Sequence, residues 1–309
     1  MKIKLSIVIA LLNEVEGLEG ITKEVVSTVE RIPELELELI FVDDGSTDES
    51  WQIIRKLCRS DSRFRGLRLS RNFGNHAALL SGLKVASGDV AMNLAADLQT
   101  PVDLIAPFYK EHQKGADVVF GARRQRADTF VDLFCARVFY GMVNLLTTQR
   151  MPKGGIDVFM ISRKVINELI QLHGRNTSIL GLIMNLGFEQ RMLEYDRPAR
   201  KQGRSKWTLL KKVKLFADGI FAFSGLPLRV CFPTGVAAFL LGVIGVLVFW
   251  LRHPGLLSFG GAASFVLLMI GVQLVSVALV GEYLYRVFQE TSQHPVFVVR
   301  EDTREPSKS

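Results

Sequence analysis

Two long apolar runs near the C-terminus constrain this chain more than any other feature. Residues 230–251 form a run of 22 without Asp, Glu, Lys or Arg, and residues 255–281 form another of 27, with only Arg252, His253 and Pro254 between them. Roughly 20 helical residues cross a bilayer core of about 30 Å, so each run is long enough to span and the pair reads as a hairpin of two transmembrane helices. Two buried core helices are the competing reading. They would need a large further domain to cover them, and only 28 residues follow Gly281. The same runs lift the mean hydropathy to +0.22, high for an enzyme of 309 residues. Residues 1–12 are a short β-like run that stops at Asn13 and Glu14, which is not the form of a signal peptide.

Orientation follows from the charges beside the first run. Between Asp196 and Arg229 there are nine Lys or Arg residues against two acids, whereas the connection between the runs offers a single Arg. Positive residues stay on the cytoplasmic side, so the preceding domain and the tail that follows the hairpin are both expected there, at a membrane that the chain crosses more than once. The formal net charge of +7 is then largely a juxtamembrane feature suited to anionic membrane lipids, and nucleic acid is not an expected partner. Residues 207–229 interleave Trp207, Leu209, Leu210, Phe216 and Phe221 with Lys211, Lys212 and Lys214, consistent with amphipathic helices at the head-group level. Cys58, Cys135 and Cys231 are too scattered for a disulfide framework or a zinc site.

Ahead of these segments, strand-like and helix-like stretches alternate. Residues 3–12 are almost continuously apolar, as a strand covered on both faces should be, and 18–29 have helical spacing. Strands are expected at 37–42, 67–69, 90–94 and 118–120, and helices at 48–59, 77–86 and 104–114. Repeated β-α-β units predict an α/β domain with a doubly wound, mostly parallel sheet. Such sheets bind ligands beyond the carboxyl ends of their strands. There the sequence places Asn13 and Glu14, Asp43 to Ser46, Arg71 to Gly74, and Asp97 to Gln99. Neither GxGxxG nor GxxxxGK[ST] is present, which argues against a dinucleotide oxidoreductase or a P-loop NTPase. Carboxylates at strand ends can instead hold a base, a ribose or a divalent cation on a diphosphate.

The ordered series Ile9-Ala10-Leu11-Leu12-Asn13-Glu14, Val42-Asp43-Asp44-Gly45-Ser46-Thr47-Asp48, Ser70-Arg71-Asn72-Phe73-Gly74 and Ala96-Asp97-Leu98-Gln99-Thr100-Pro101 resembles the family 2 glycosyltransferases of GT-A fold. With Gly203, Ser205, Lys206 and Trp207 in a G-x-S-K-W pattern and the two apolar runs, the chain is similar to the polyisoprenyl-phosphate branch, which includes dolichyl-phosphate mannose synthase and bacterial undecaprenyl-phosphate glucosyltransferases. The resemblance implies that Ala10, Leu12, Glu14, Asp43, Ser46, Arg71, Ala96 and Asp97 bind the nucleotide sugar. Helix capping is an alternative for Glu14 and Asp48, and a surface salt bridge for Arg71. It implies acceptor-phosphate binding by Arg123, Arg137, Arg200, Ser205 and Lys206, for which solvated surface charge is the alternative. Asp157 falls where relatives carry an acid facing the donor sugar, as a catalytic residue beside Asp97 or as an ordinary turn carboxylate. A Mg2+ or Mn2+ ion is expected on Asp97 and Gln99. The family pattern DADLQ reads here as Ala95-Ala96-Asp97-Leu98-Gln99, so one carboxylate is absent, and an inactive variant stays open.

The expected organisation is a GT-A domain over 1–206, interfacial helices over 207–229, the hairpin over 230–284 and a cytoplasmic tail over 285–309. The expected reaction is inverting transfer of a hexose, from UDP-glucose or from another donor such as GDP-mannose, to undecaprenyl phosphate. Single displacement inverts the anomeric centre, and the acceptor phosphate, with a second pKa near about 6, is mostly dianionic and needs little help from a base. A processive polysaccharide synthase fits less well, because Q-x-x-R-W is absent, and a non-catalytic membrane scaffold is motivated by Ala95 alone. Gly235, Gly242, Gly245, Gly260, Gly261 and Gly271 allow close helix approach, so a homo-oligomer is expected, with a tetramer as the candidate state and the exact number of copies left open by the sequence. The hairpin makes a direct prediction: a cysteine introduced at Ser309 is inaccessible to a membrane-impermeant thiol reagent applied outside intact cells. Labelling from outside would refute the topology.

Overall fold

The computed structural model describes residues 2–97, 100–124, 155–172, 179–196 and 295–304, together with scattered helical positions between 235 and 288. The chain divides into one unit of residues 1–207 with 294–309 and a second of residues 208–293.

The first unit is built on an eight-stranded sheet: β1 (Ile3–Leu11), β2 (Leu35–Asp43), β3 (Phe64–Leu69), β4 (Val90–Ala95), β5 (Val118–Arg123), β6 (Ile156–Ser162), β7 (Gln190–Tyr195) and β8 (Val299–Asp302). Its spatial order is β7-β5-β6-β4-β1-β2-β3-β8. β1 lies at the centre between β2 and β4, parallel to both. Only β6 and β8 run against the others, so the mostly parallel α/β sheet expected from the sequence is present. Helices α1 (Leu18–Glu30), α2 (Ser50–Ser60) and α4 (Ile105–Gln113) cover one face, and α3 (Asn75–Val85), α5 (Arg163–Gln171) and α6 (Ile179–Asn185) cover the other.

Strand alternation explains this two-sided core. Leu37, Leu39 and Phe41 of β2 enter the α1, α2 and α4 layer, while Ile40 and Val42 enter the α3, α5 and α6 layer. Both sets are apolar because both faces lose contact with water, each fully buried side chain contributing about 1.5–3 kcal/mol. The expected elements are therefore found within a few residues of their ends. The 64–66 start of β3 escapes sequence reading because Arg65 and Gly66 break the apolar run.

Three strands had no sequence signal. β6 and β7 follow a long gap, and β8 belongs to the segment read as a tail. β8 is only four residues long, with three charges, and its pairing with β3 is secured by Arg65 to Asp302 at 2.6 Å and Arg68 to Glu301 at 3.2 Å. A short strand whose charges are matched across the sheet has no apolar periodicity to betray it.

Among the described residues no helix is long and apolar enough to cross a membrane. Most of 230–251 and 255–281, and all of 207–229, lie outside the described residues. The described positions of the second unit that are helical carry large exposed apolar side chains, including Leu240, Ile244, Val277, Leu284 and Phe288, the last 64% exposed.

One buried acid links the sheet to the end of the chain. Glu38 on β2 is 1% exposed and accepts hydrogen bonds from Ser6 Oγ at 2.6 Å and from Ser87 N and Oγ, both at 2.8 Å. Lys4 and Arg304 approach it at 3.9 and 3.7 Å. Burial works to raise its pKa, but the Ser6 and Ser87 hydrogen bonds and the Lys4 charge prevail and hold the carboxyl below its ordinary value. A carboxyl held low adds stability above its unfolded-state pKa and loses it as the pH falls through the folded-state value. Glu38→Gln is expected to cost about 2 kcal/mol at neutral pH. In melting curves the gap from wild type should close as the pH is taken down through the acid range.

Candidate active site

The site is assembled where β1, β2, β3 and β4 all end. Ala10 stands in register with Val42 on one side and Ala95 on the other, and Leu11 with Asp43. Beyond these pairs the chain turns away, and the loops are tied to one another by side chains. Asn13, in the left-handed region at φ 56°, donates its N–H to Ser46 Oγ at 2.9 Å and accepts from Thr47 N through Oδ1 at 2.9 Å. Left-handed backbone is tolerated by Asn better than by most residues. Glu14 N donates to Ser50 Oγ at 3.1 Å. Asp48 Oδ1 accepts from Ser50 N at 3.0 Å, a local turn contact at the start of α2 in keeping with a structural part for Asp48.

The two acids of the Asp43-Asp44 pair do different things. Asp43 is fully buried, its Oδ1 accepting from Ser46 N at 2.8 Å and its Oδ2 lying 3.4 Å from Arg68 Nε. Asp44, which sequence reading did not single out, receives Phe73 N at 2.7 Å and Gly74 N at 2.9 Å, and so clamps the Arg71–Gly74 loop to the end of β2. Burial is the largest influence on Asp44 and, with the neighbouring Asp43 charge, raises its pKa in spite of those two donors. Gly45, at φ +76°, is required by the same clamp, because a Cβ there would lie 2.6 Å from the Arg71 carbonyl carbon. Arg71 is exposed and stacks over Phe73 at 4.3 Å.

The β4 loop closes the other side. A Cβ on Gly17 would lie 2.5 Å from the Ala96 carbonyl oxygen, so the start of α1 and the Ala95–Asp97 turn are in close contact. Asp97 is half-buried at this turn. Among the described residues no group of three or more His, Cys, Asp or Glu side chains is arranged to hold a metal ion. Ala10, Leu12, Glu14, Asp43, Ser46, Arg71, Ala96 and Asp97 thus gather at one edge of the sheet, with Ala10, Leu12 and Glu14 half-buried and Ser46 and Ala96 buried.

Arg123 and Asp157, expected in separate roles, meet. Arg123 ends β5, Asp157 lies near the start of β6, and Tyr195 ends β7 in register with Arg123. Arg123 Nε donates to Asp157 Oδ2 at 2.7 Å, with Nη2 at 2.5 Å, and Tyr195 donates its hydroxyl to Asp157 Oδ1 at 2.5 Å. Burial opposes the Arg123 charge, but Asp157 outweighs it and raises the guanidinium pKa; burial and the Asp157 contact together push the Tyr195 phenol far above its ordinary value. An acceptor phosphate would have to share this guanidinium with Asp157.

Asn93 places the cluster. The β4–β6 ladder ends at Met92, and there the Asn93 side chain takes over, donating to the Asp157 carbonyl at 3.0 Å and accepting from Phe159 N at 2.8 Å. An amide side chain in place of two ladder hydrogen bonds spreads β6 from β4 and keeps the backbone satisfied. Asn93 and Tyr195 carried no sequence signal, because their partners are distant in the chain. Arg137, Arg200, Ser205, Lys206 and Gln99 lie outside the described residues. Asp157→Asn should destabilise the domain by about 3 kcal/mol, because it strips a partly buried guanidinium of its counter-charge. Tyr195→Phe, which removes one hydrogen bond, should cost only about 1 kcal/mol in the same denaturation measurement.

Comparison with known proteins places the chain in a family. The model of glycosyl transferase family 2 matches residues 6–169, and that of the GtrB C-terminal hairpin matches residues 226–287. An uncharacterized glycosyltransferase of Synechocystis sp., sll0501, is 34% identical over 307 residues, 97% of this chain and 95% of that protein. The SfII prophage-derived bactoprenol glucosyl transferase of Shigella flexneri is 33% identical over 312 residues, 97% of this chain and 99% of that one. Among solved structures, glucosyl-3-phosphoglycerate synthase from Mycobacterium tuberculosis in complex with UDP is 19% identical with a TM-score of 0.48, covering 71% of this chain and 79% of that one. With a family model that spans more than half of its length and relatives similar over nearly all of it, this chain belongs to glycosyl transferase family 2 and is a glycosyltransferase.

Proposed function

We propose that this enzyme transfers glucose from UDP-glucose to undecaprenyl phosphate at the cytoplasmic face of a bacterial inner membrane, with inversion at the anomeric carbon. The observation that carries the reading is the 33% identity, over 97% of the chain, to a protein named as a bactoprenol glucosyl transferase. The clamped loops at the ends of β1, β2 and β4 support it, since they form a preorganised polar edge beyond the carboxyl ends of the parallel strands, where such sheets take their ligands. The exposed apolar side chains at helical positions of the second unit support the membrane assignment, together with the two charge-free runs. The organisation follows: a catalytic domain over 1–206 that β8 joins from the C-terminal segment, interfacial helices over 207–229, the hairpin over 230–284, and assembly as a homo-oligomer.

In this reading the Asn13–Glu14 and Asp43–Ser46 segments hold the base and ribose, and Arg71 approaches the diphosphate. Asp157 orients the sugar hydroxyls; both of its oxygens are engaged by Arg123 and Tyr195, which suits orientation better than proton abstraction. Arg123, Arg137, Arg200, Ser205 and Lys206 receive the acceptor phosphate, an assignment favoured by the affinity of Arg forks and Lys for phosphate. The acceptor oxygen is already anionic, so placing it in line behind the anomeric carbon is the main requirement.

The donor set fits a hard divalent cation, though sparsely. Mg2+ is often held by one or two carboxylates, with waters and substrate phosphates completing the shell, and Asp97 with Gln99 offers one carboxylate and one amide oxygen. A Mg2+ or Mn2+ ion there would offset the charge of the departing nucleoside diphosphate. Ala95 leaves more of that shell to the diphosphate.

Purified full-length protein given UDP-glucose, undecaprenyl phosphate and Mg2+ or Mn2+ should form a lipid-linked glucose and release UDP only when the lipid phosphate is present. Failure of every nucleotide sugar in a panel would leave the scaffold reading. Asp97→Asn should lower transfer at least about 100-fold, because it removes the charge facing the cation. Ala95→Asp should tighten the metal dependence without necessarily raising turnover. Transfer that persists in Asp97→Asn with a chelator present would refute the metal assignment.

A further inference from the structure

The strand that follows the hairpin in sequence carries two neighbouring acids with different reach. Asp302 closes on Arg65, with Oδ2 2.6 Å from Nη2, and fastens β8 to β3. Glu301 accepts from Trp51 Nε1 at 3.1 Å and from Arg68 Nη1 at 3.2 Å. Arg68 is the register partner of Asp43, with Nε 3.4 Å from Asp43 Oδ2, and its Nη2 donates to the Ser46 carbonyl at 3.4 Å. The guanidinium also lies 5.9 Å over the Trp51 ring. It therefore joins the C-terminal strand to both ends of the Asp43–Ser46 turn.

Two carboxylates draw on this one guanidinium. Asp43 is fully buried, and its Oδ2 accepts no hydrogen bond among the described residues although Arg68 is beside it. A buried carboxylate strongly favours a close, forked contact with a cation. Arg68 does not make that contact, because its Nη1 is held by Glu301 and its Nη2 by the Ser46 carbonyl.

The geometry points to Glu301 and Arg68 as positioning residues of the donor site. Glu301 holds Arg68 where it compensates Asp43 and pins the Ser46 carbonyl without collapsing onto the carboxylate, and the turn keeps the shape that receives the donor nucleoside. The last strand of the chain thereby becomes part of nucleotide binding. This rests on reading the Asp43–Ser46 turn as part of the nucleotide site.

The test uses the full-length protein in detergent. UDP and GDP are titrated calorimetrically into wild type, and the tighter binder is used throughout. Glu301→Gln and Arg68→Gln should each weaken binding about tenfold, the scale of a lost charged hydrogen bond. The KM for the sugar nucleotide should rise in step while kcat stays within about twofold, as for a loss of uniform binding. The double variant should bind no more weakly than Arg68→Gln alone, since Glu301 acts through Arg68. Asp302→Asn, which loosens the same strand without touching Arg68, should leave affinity unchanged. Wild-type affinity in Glu301→Gln, or an equal loss in Asp302→Asn, would overturn the proposal, and this pair decides it even if Arg68→Gln does not fold. Asp43→Asn separates the premises. If it weakens binding while Glu301→Gln does not, the positioning role alone fails. If Asp43→Asn has no effect, or wild type binds neither nucleotide, the donor-site reading fails and the positioning role with it.

Discussion

A strand covered on both faces can present a polar group to a ligand only at its ends, and a polar group between them must be satisfied inside, as Ser6 and Glu38 satisfy one another. β1 obeys this constraint, with Leu5, Ile7, Val8 and Ile9 fully buried and helices packed above and below. Because β2 and β4 flank it in parallel register, their polar ends fall on the same edge, and the carboxylates, amides and glycines of four loops are brought together there. Where the polar strand-end groups of this protein collect thus follows from burial before any catalytic residue is considered.

That edge is held by hydrogen bonds that cross between loops. Asn13 ties the β1 loop to Ser46 and Thr47, Asp44 ties the β2 turn to Phe73 and Gly74, and the Gly17 contact ties α1 to Ala96. The Asn13 and Asp44 ties use side chains to satisfy backbone groups that have left the sheet ladder, and the Gly17 contact is a close backbone approach; together they preorganise this edge. Arg71, exposed, and Asp97, half-buried, stand on the loops held in this way. The Arg123–Asp157–Tyr195 cluster is a second rigid feature, set by the neighbouring ends of β5, β6 and β7 and by the gap Asn93 opens beside β4.

Ala95 shows how a family site can shift its demands. If Asp97 and Gln99 hold a divalent cation as proposed, the carboxylate absent at Ala95 would leave more of the coordination to substrate and water. Such a site relies more on how firmly the donor nucleotide is held, which gives the turn at Asp43 and the cation beside it more influence.

The α/β class, the order of its first strands and helices, and the edge where the strand-end motifs gather were legible in the sequence, because apolar alternation and strand-end motifs are local patterns. Val42-Asp43-Asp44-Gly45-Ser46 could be read as a strand end followed by a turn, and the apolar runs as membrane-crossing length. Which acid does what could not be read, since adjacent Asp43 and Asp44 differ only in the direction their side chains take from the end of β2. The meeting of Arg123, Asp157 and Tyr195, and the return of Glu301 to Arg68, were decided by tertiary structure alone. They join residues 34 to 233 positions apart, through register across the sheet, and a distance of that kind leaves no periodicity for a sequence to show.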